Sequence, residues 1–186
     1  MNVKDILNRD NLSNIIFISG GTKSGKSEFA EHLAKNEKKI SYVALSENNH
    51  DDKEWQEKIN LHRKRRPSDW KLIETTDLLN TLSNEDGPLL IDSIGGFVME
   101  SIGKEHNEWS TNIHSLINLL MKRKSKTFIV GEQVGWSLVS EYKIGNIYIE
   151  RIGELQKKIT KISKDNWLVI NGRAIKIDEI SIEIPT

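Results

Sequence analysis

Two segments of this chain combine residue types and spacing that could do chemistry. The first is Gly20-Gly21-Thr22-Lys23-Ser24-Gly25-Lys26-Ser27, a glycine followed after four intervening residues by Gly-Lys-Ser. Glycines at such spacing let the backbone curl so that successive N–H groups converge on phosphate oxygens. Lys26 can then reach the outer phosphates of a nucleotide, and the Ser27 hydroxyl can ligate Mg²⁺. The second segment is His62-Arg63-Lys64-Arg65-Arg66-Pro67. On its own this reads as a helix-edge histidine followed by a solvated basic run. Beside a polyphosphate site it reads differently. Guanidinium forks match phosphate oxygens bidentately, and a neutral imidazole among them can attack phosphorus and hold a phosphoramidate.

These residues need elements to position them. Asn14–Ser19 reads as a strand that delivers the glycine loop, and Ser27–Lys35 as the helix leaving it, with Phe29, Ala30, Leu33 and Ala34 three and four apart. The start of that helix adds its positive end to the loop. Ile40–Ala44, Pro88–Asp92 and Lys126–Val130 are further strand signals. Asp52–Leu61, Asn107–Lys122 and Glu150–Ile162 are helix signals, the second carrying Trp109, Ile113, Leu116 and Leu120 on one face. Trp167–Ile170 and Ala174–Ile177 flank Asn171-Gly172-Arg173, a hairpin signal. Strands alternating with helices imply right-handed crossovers. The expected fold is therefore α/β: a P-loop NTPase-type, mostly parallel sheet with helices on both faces and a short C-terminal antiparallel hairpin. Ligands in such sheets bind beyond the carboxyl ends of the strands. Asp92 ends its strand and is the expected acidic partner of the metal shell, the alternative being a cap for the next segment.

Composition narrows the options. The 186 residues suit one domain, read here as a single nucleotide-binding domain over 1–186, with 1–13 an N-terminal extension and 178–186 a tail. A chain of this size buries roughly 70% of its unfolded surface. The 27 Lys+Arg balance 27 Asp+Glu, which argues against a nucleic-acid partner. The absence of cysteine excludes a disulfide scaffold, a thiolate metal site and a cysteine nucleophile, and it fits a cytoplasmic setting. No apolar run is long enough to insert in a membrane, and the first residues lack the apolar core of a signal peptide. His32, His50, His106 and His114 have no close-spaced nitrogen or sulfur ligands beside them, so no zinc site is expected. Trp55, Trp70 and Trp136 are candidates to line a pocket for a bulky ring system, with core packing the expected role of most of the five tryptophans.

Taken in order, the glycine loop, Tyr42-Val-Ala44, Lys58–Pro67 with Asp69-Trp70, Leu89–Asp92, Val134-Gly135-Trp136 and Trp167–Gly172 resemble one family. It is the bifunctional adenosylcobinamide kinase / adenosylcobinamide-phosphate guanylyltransferase of cobalamin biosynthesis. The glycine loop is widely shared; its combination with Ile-x-x-His-Arg-x-Arg-Arg-Pro-x-x-Trp is far more specific. The resemblance runs from about Ile15 to Ile177. It implies phosphorylation of the corrinoid adenosylcobinamide by a nucleoside triphosphate, ATP or GTP, with Mg²⁺. It further implies transfer of GMP from GTP through a guanylyl-histidine, which by position is His62. Gly20–Ser27 would hold the triphosphate, Ser27 and Asp92 the metal, and Arg63, Arg65 and Arg66 the charge of pyrophosphate or acceptor phosphate. Glu74, near the end of a strand that could start at Trp70, is a further candidate for nucleotide contact. A homotrimer is implied as well. The chain departs from the family pattern at Asp92-Ser93-Ile94-Gly95-Gly96-Phe97 and at Gly131-Glu132-Gln133-Val134-Gly135, where Gln133 takes the place of a glutamate and Glu132 lies beside it. A basic pair before the last long helix is replaced by Asn146-Ile147. These changes fall where nucleophile activation or corrinoid binding would occur, and they leave two other readings open: a kinase for a different small hydroxyl substrate, or a nucleotide-binding relative without turnover.

Overall fold

The computed structural model describes residues 14–45, 67–136 and 140–184. The expected extension 1–13, the helix signal Asp52–Leu61, Trp55 and the whole His62–Arg66 segment lie outside the described residues.

Among the described residues, seven strands form one sheet in the order β3-β2-β4-β5-β1-β6-β7. They are β1 (Ile15–Gly20), β2 (Ser41–Ala44), β3 (Lys71–Glu74), β4 (Leu89–Asp92), β5 (Thr127–Glu132), β6 (Asp165–Ile170) and β7 (Arg173–Lys176). All pairings are parallel except β6 with β7. The central strands are short continuous apolar runs, such as the fully buried Ile15–Gly20, as a sheet covered on both faces requires. Six helices accompany them among the described residues: α1 (Lys26–Ala34), α2 (Leu78–Asn84), α3 (Gly95–Glu100), α4 (His106–Lys122), α5 (Lys143–Ile162) and the short α6 (Ile177–Ile180).

Alternation along the strands splits the core in two. On one face Ile16, Ile18, Leu90, Phe128 and Val130 pack with Ala30 and Ala34 of α1. On the other, Ile15, Phe17, Ile91 and Ile129 pack with Trp109, Ile113, Leu116 and Leu120 of α4 and Ile152, Leu155 and Ile159 of α5. The stripe on α4 is thus the one its spacing predicts. Trp109 is only 1% exposed, and its indole N–H donates to Glu154 at 2.8 Å, so the ring is core rather than ligand pocket. Trp70 and Trp167 pack against the α1-side core, while Trp136 is 66% exposed.

At two glycine-bearing helices the structure adds to the sequence reading. Helix α5 begins at Lys143, not Glu150, because Gly145 and Asn146 serve a tight start rather than breaking the helix. A Cβ on Gly145 would lie 2.3 Å from Ser140 Oγ, and the Asn146 amide donates to Ser140 O at 3.0 Å. Helix α3 runs through Gly95-Gly96, a pair that reads as a breaker in sequence. A Cβ on Gly96 would lie 2.2 Å from Leu45 O, so close packing of α3 on the end of β2 needs that glycine.

Candidate functional site

The glycine loop after β1, Asp92 of β4 and Glu132 of β5 stand at the carboxyl ends of their strands, and the Tyr42 hydroxyl of β2 reaches the same edge. Strand β1 runs into the glycine loop. Within it, Lys23 adopts φ 56° and Gly25 φ 97°, left-handed conformations that turn the chain sharply before α1. A Cβ on Gly20 would meet Val169 O at 2.5 Å, so the loop also passes close to β6. Thr22 and Lys23 are exposed at the rim, while Ser24 is buried. The turn of the C-terminal hairpin braces the loop from one side: the Gly172 N–H donates to Ser24 O at 2.9 Å. The hairpin is therefore more than an edge to the sheet. Lys26 folds back over the loop, its Nζ donating to Gly21 O at 3.2 Å. This is the cradle geometry expected for phosphate oxygens.

Ser27 opens α1 and points across to β4. Its hydroxyl donates to Asp92 Oδ1 at 3.1 Å, and the Tyr42 hydroxyl of β2 donates to Asp92 Oδ2 at 2.5 Å. Asp92 is thus tied to the glycine loop by direct hydrogen bonding, not left as a cap for the following segment. One hydroxyl and one carboxylate suit a hard cation such as Mg²⁺, which keeps several waters and takes its remaining oxygens from phosphates. Among the described residues no group of three or more His, Cys, Asp or Glu could hold a metal by itself.

Glu74 is exposed at the end of β3, in register with Ala44, which is in turn in register with Asp92. It shares the carboxyl edge of the sheet with the cradle but lies two strands from Asp92, toward the outside. His62, Arg63, Arg65 and Arg66 lie outside the described residues.

One acidic residue of the site had no assigned role in the sequence reading. Glu132 ends β5, between the strands that carry Asp92 and the glycine loop. It accepts a hydrogen bond from the Ser93 hydroxyl through Oε1, and its Oε2 is buried without a hydrogen-bond partner among the described residues. Burial raises the Glu132 carboxyl to about 7, Asp92 adds to the rise, and the Glu132 and Gly95 backbone and Lys26 oppose it. Burial, and then the Glu132 charge, push the Tyr148 phenol on α5 to about 12. Gln133, by contrast, turns away to donate to Gln156 at 3.3 Å. The carboxylate facing Ser93 at this strand end is therefore that of Glu132. The usable signal was a carboxylate just beyond an apolar strand run, two residues after Val130.

The family model for cobinamide kinase / cobinamide phosphate guanyltransferase matches residues 16–177. The chain belongs to this family. It is 25% identical over 181 residues to the bifunctional adenosylcobalamin biosynthesis protein CobU of Escherichia coli (strain K12), covering 88% of this chain and 99% of that protein. It is 26% identical over 162 residues to the bifunctional adenosylcobalamin biosynthesis protein CobP of Pseudomonas aeruginosa, covering 77% of this chain and 86% of that one. Among solved structures, a protein from Pyrococcus horikoshii OT3 superimposes with a TM-score of 0.55 at 8% identity, over 100% of this chain and 98% of that chain. An ATPase of a bacterial type III secretion system gives 0.50 at 11% identity, over 88% of this chain and 54% of that chain. These structural likenesses bear on the fold alone: a P-loop NTPase-type sheet. No helix among the described residues is long and apolar enough to cross a membrane.

Proposed function

We propose that the protein phosphorylates adenosylcobinamide and then transfers GMP from GTP to adenosylcobinamide phosphate, in the cytoplasm and as a homotrimer. The observation that carries this reading is the tie between Ser27 and Asp92 at 3.1 Å beside the Lys26 cradle, in a chain matched to the family along residues 16–177. Residues 1–186 act as one nucleotide-binding domain. Gly20, Gly21, Thr22, Lys23, Ser24 and Gly25 hold the triphosphate through backbone N–H groups, and Lys26 neutralises charge on its outer phosphates. Ser27 and Asp92 hold Mg²⁺, which draws charge from the phosphates when bound. Glu74 contacts the nucleotide from the outer strand.

In the guanylyl step a ring nitrogen of His62 attacks the α-phosphorus of GTP. An N–P bond forms, the bond from the α-phosphorus to the bridging oxygen breaks, and pyrophosphate leaves. Arg63, Arg65 and Arg66 offset the charge of that leaving group. An oxygen of the corrinoid phosphate then displaces the histidine and carries GMP away. A phosphoramidate is acid-labile, which provides the test. Incubation with α-labelled GTP and Mg²⁺ should give acid-labile label on the wild type and none on His62→Ala. A wild type that takes up no label yet phosphorylates a small acceptor refutes guanylyl transfer and favours a simple kinase. Nucleotide binding with neither reaction refutes both enzymatic readings.

A further inference from the structure

The Ser27–Asp92 tie leaves one question of chemistry open. The acceptor hydroxyl of a kinase must lose a proton, and both oxygens of Asp92 are already engaged by Ser27 and Tyr42. Glu132 is placed differently. Its register partner is Gly20, the first residue of the glycine loop, and the Gln133 N–H donates to Gly20 O at 3.0 Å. Glu132 lies two residues beyond Val130, whose register partner is Asp92, so the two carboxylates stand at the carboxyl ends of adjacent strands. The strand end is held by Gln156, whose amide donates to Glu132 O at 2.7 Å.

The surroundings of this carboxylate are built to admit it. A Cβ on Gly95 would lie 3.0 Å from each carboxylate oxygen and 2.2 Å from the Tyr148 hydroxyl. Any larger residue at 95 would displace one or the other. Ser93 holds Oε1. The ionisable groups acting on Glu132 are Lys26 of α1 and Asp92 of β4, with Tyr148 of α5 facing it from the other side. A buried carboxylate oxygen that makes no hydrogen bond among the described residues costs stability there, and a purely structural role for Glu132 would leave that cost without a return.

We propose that Glu132 is the proton acceptor for the alcohol phosphorylated in the kinase step, with Oε2 as the accepting atom and Ser93 and Gly95 positioning the carboxylate. The O–H bond of the alcohol breaks as its proton passes to Oε2. The alcohol oxygen forms a bond to the γ-phosphorus, and the bond from that phosphorus to the β–γ bridging oxygen breaks. Its electron pair leaves with the nucleoside diphosphate. This inference rests on the kinase half of the proposed function. The guanylyl half makes no such demand, since imidazole supplies its own lone pair and the acceptor phosphate is already anionic.

That difference supplies the experiment. Purified wild type, Glu132→Gln and Glu132→Asp are assayed with Mg²⁺ for phosphorylation of cobinamide and, in the same preparations, for acid-labile labelling by α-labelled GTP. Glu132→Gln should lose roughly 10²–10⁴-fold in kcat for phosphorylation with little change in KM for the nucleotide. Labelling should persist, which also shows that the variant is folded. Glu132→Asp, which keeps the acid on a shorter arm, should recover part of the rate. Wild-type phosphorylation with an undiminished Glu132→Gln rate overturns the inference and leaves the proposed function standing. Parallel loss of phosphorylation and labelling, or equal loss in the Gln and Asp variants, makes Glu132 structural and also overturns it. A wild type that phosphorylates no cobinamide refutes the kinase reading itself, and the role of Glu132 falls with it.

Discussion

Replacing Glu132 by Gln should stabilise the folded protein at alkaline pH while removing most of its pH dependence near neutrality. The carboxyl titrates at about 7 in the folded chain against a usual 4.5, with burial the largest cause. The folded state therefore binds more protons than the unfolded state between these values, so stability falls as pH rises from about 4.5 to about 7 and levels off above. Each pH unit of that interval is worth about 1.4 kcal/mol, so the buried, ionised carboxylate costs the wild type about 3 kcal/mol at pH 8. Gln has nearly the same shape and cannot ionise. Its advantage should be near zero at pH 4.5 and grow to about 3 kcal/mol at pH 8. Urea unfolding of both proteins at pH 4.5, 6 and 8, without nucleotide and with a chelator, measures this difference directly. Wild-type and variant profiles that run parallel across that range would show that the Glu132 site does not penalise charge, and the burial argument would be wrong. A gain in stability that accompanies a loss of phosphorylation would also be the mark of a strained functional group.

Three further outcomes follow from contacts already described. Lys26→Ala should abolish labelling by α-labelled GTP at concentrations that saturate the wild type, as followed by filter retention of label; retained labelling would remove the glycine loop from the mechanism. Gly96→Ala should destabilise by about 1–3 kcal/mol in urea unfolding, since its Cβ would fall 2.2 Å from Leu45 O and α3 would have to shift. Ile113→Ala, at a fully buried position of α4, should cost about 2–5 kcal/mol in the same assay, while the proton-linked pH profile around Glu132 stays unchanged.

The glycine loop was legible because its chemistry is local. Gly20 to Ser27 are contiguous, and the strand before and helix after them follow from apolar spacing alone. The central strands were legible for a similar reason: buried parallel strands are short unbroken apolar runs, as at Leu89–Ile91. The Asn171-Gly172 turn was legible too, both residues adopting positive φ, 50° and 73°. What escaped were elements whose reason is a distant partner. Helix α2 is capped by Asp77, whose carboxylate accepts from the Asn80 N–H at 3.0 Å, but its seven residues are too few for a clear period. The glycines in α3 and α5 look like breakers until Leu45 and Ser140 are seen against them.

By itself the sequence determined that a phosphate cradle follows the first strand, that Asp92 ends a later strand, and that the chain resembles a cobinamide-activating family. Each of those is read from short contiguous motifs and the order in which they follow one another. The tertiary structure decided what depends on strand order. By setting β5 between β4 and β1 it placed Glu132, 112 residues from Gly20 in the chain, in register with that glycine. It folded the C-terminal hairpin onto the loop through Gly172 and Ser24. It also buried one carboxylate deeply enough to shift its titration, while the neighbouring one, Asp92, is met by two hydroxyl donors. Sequence spacing carries no information about desolvation, because desolvation is set by what packs around a group, not by what precedes and follows it.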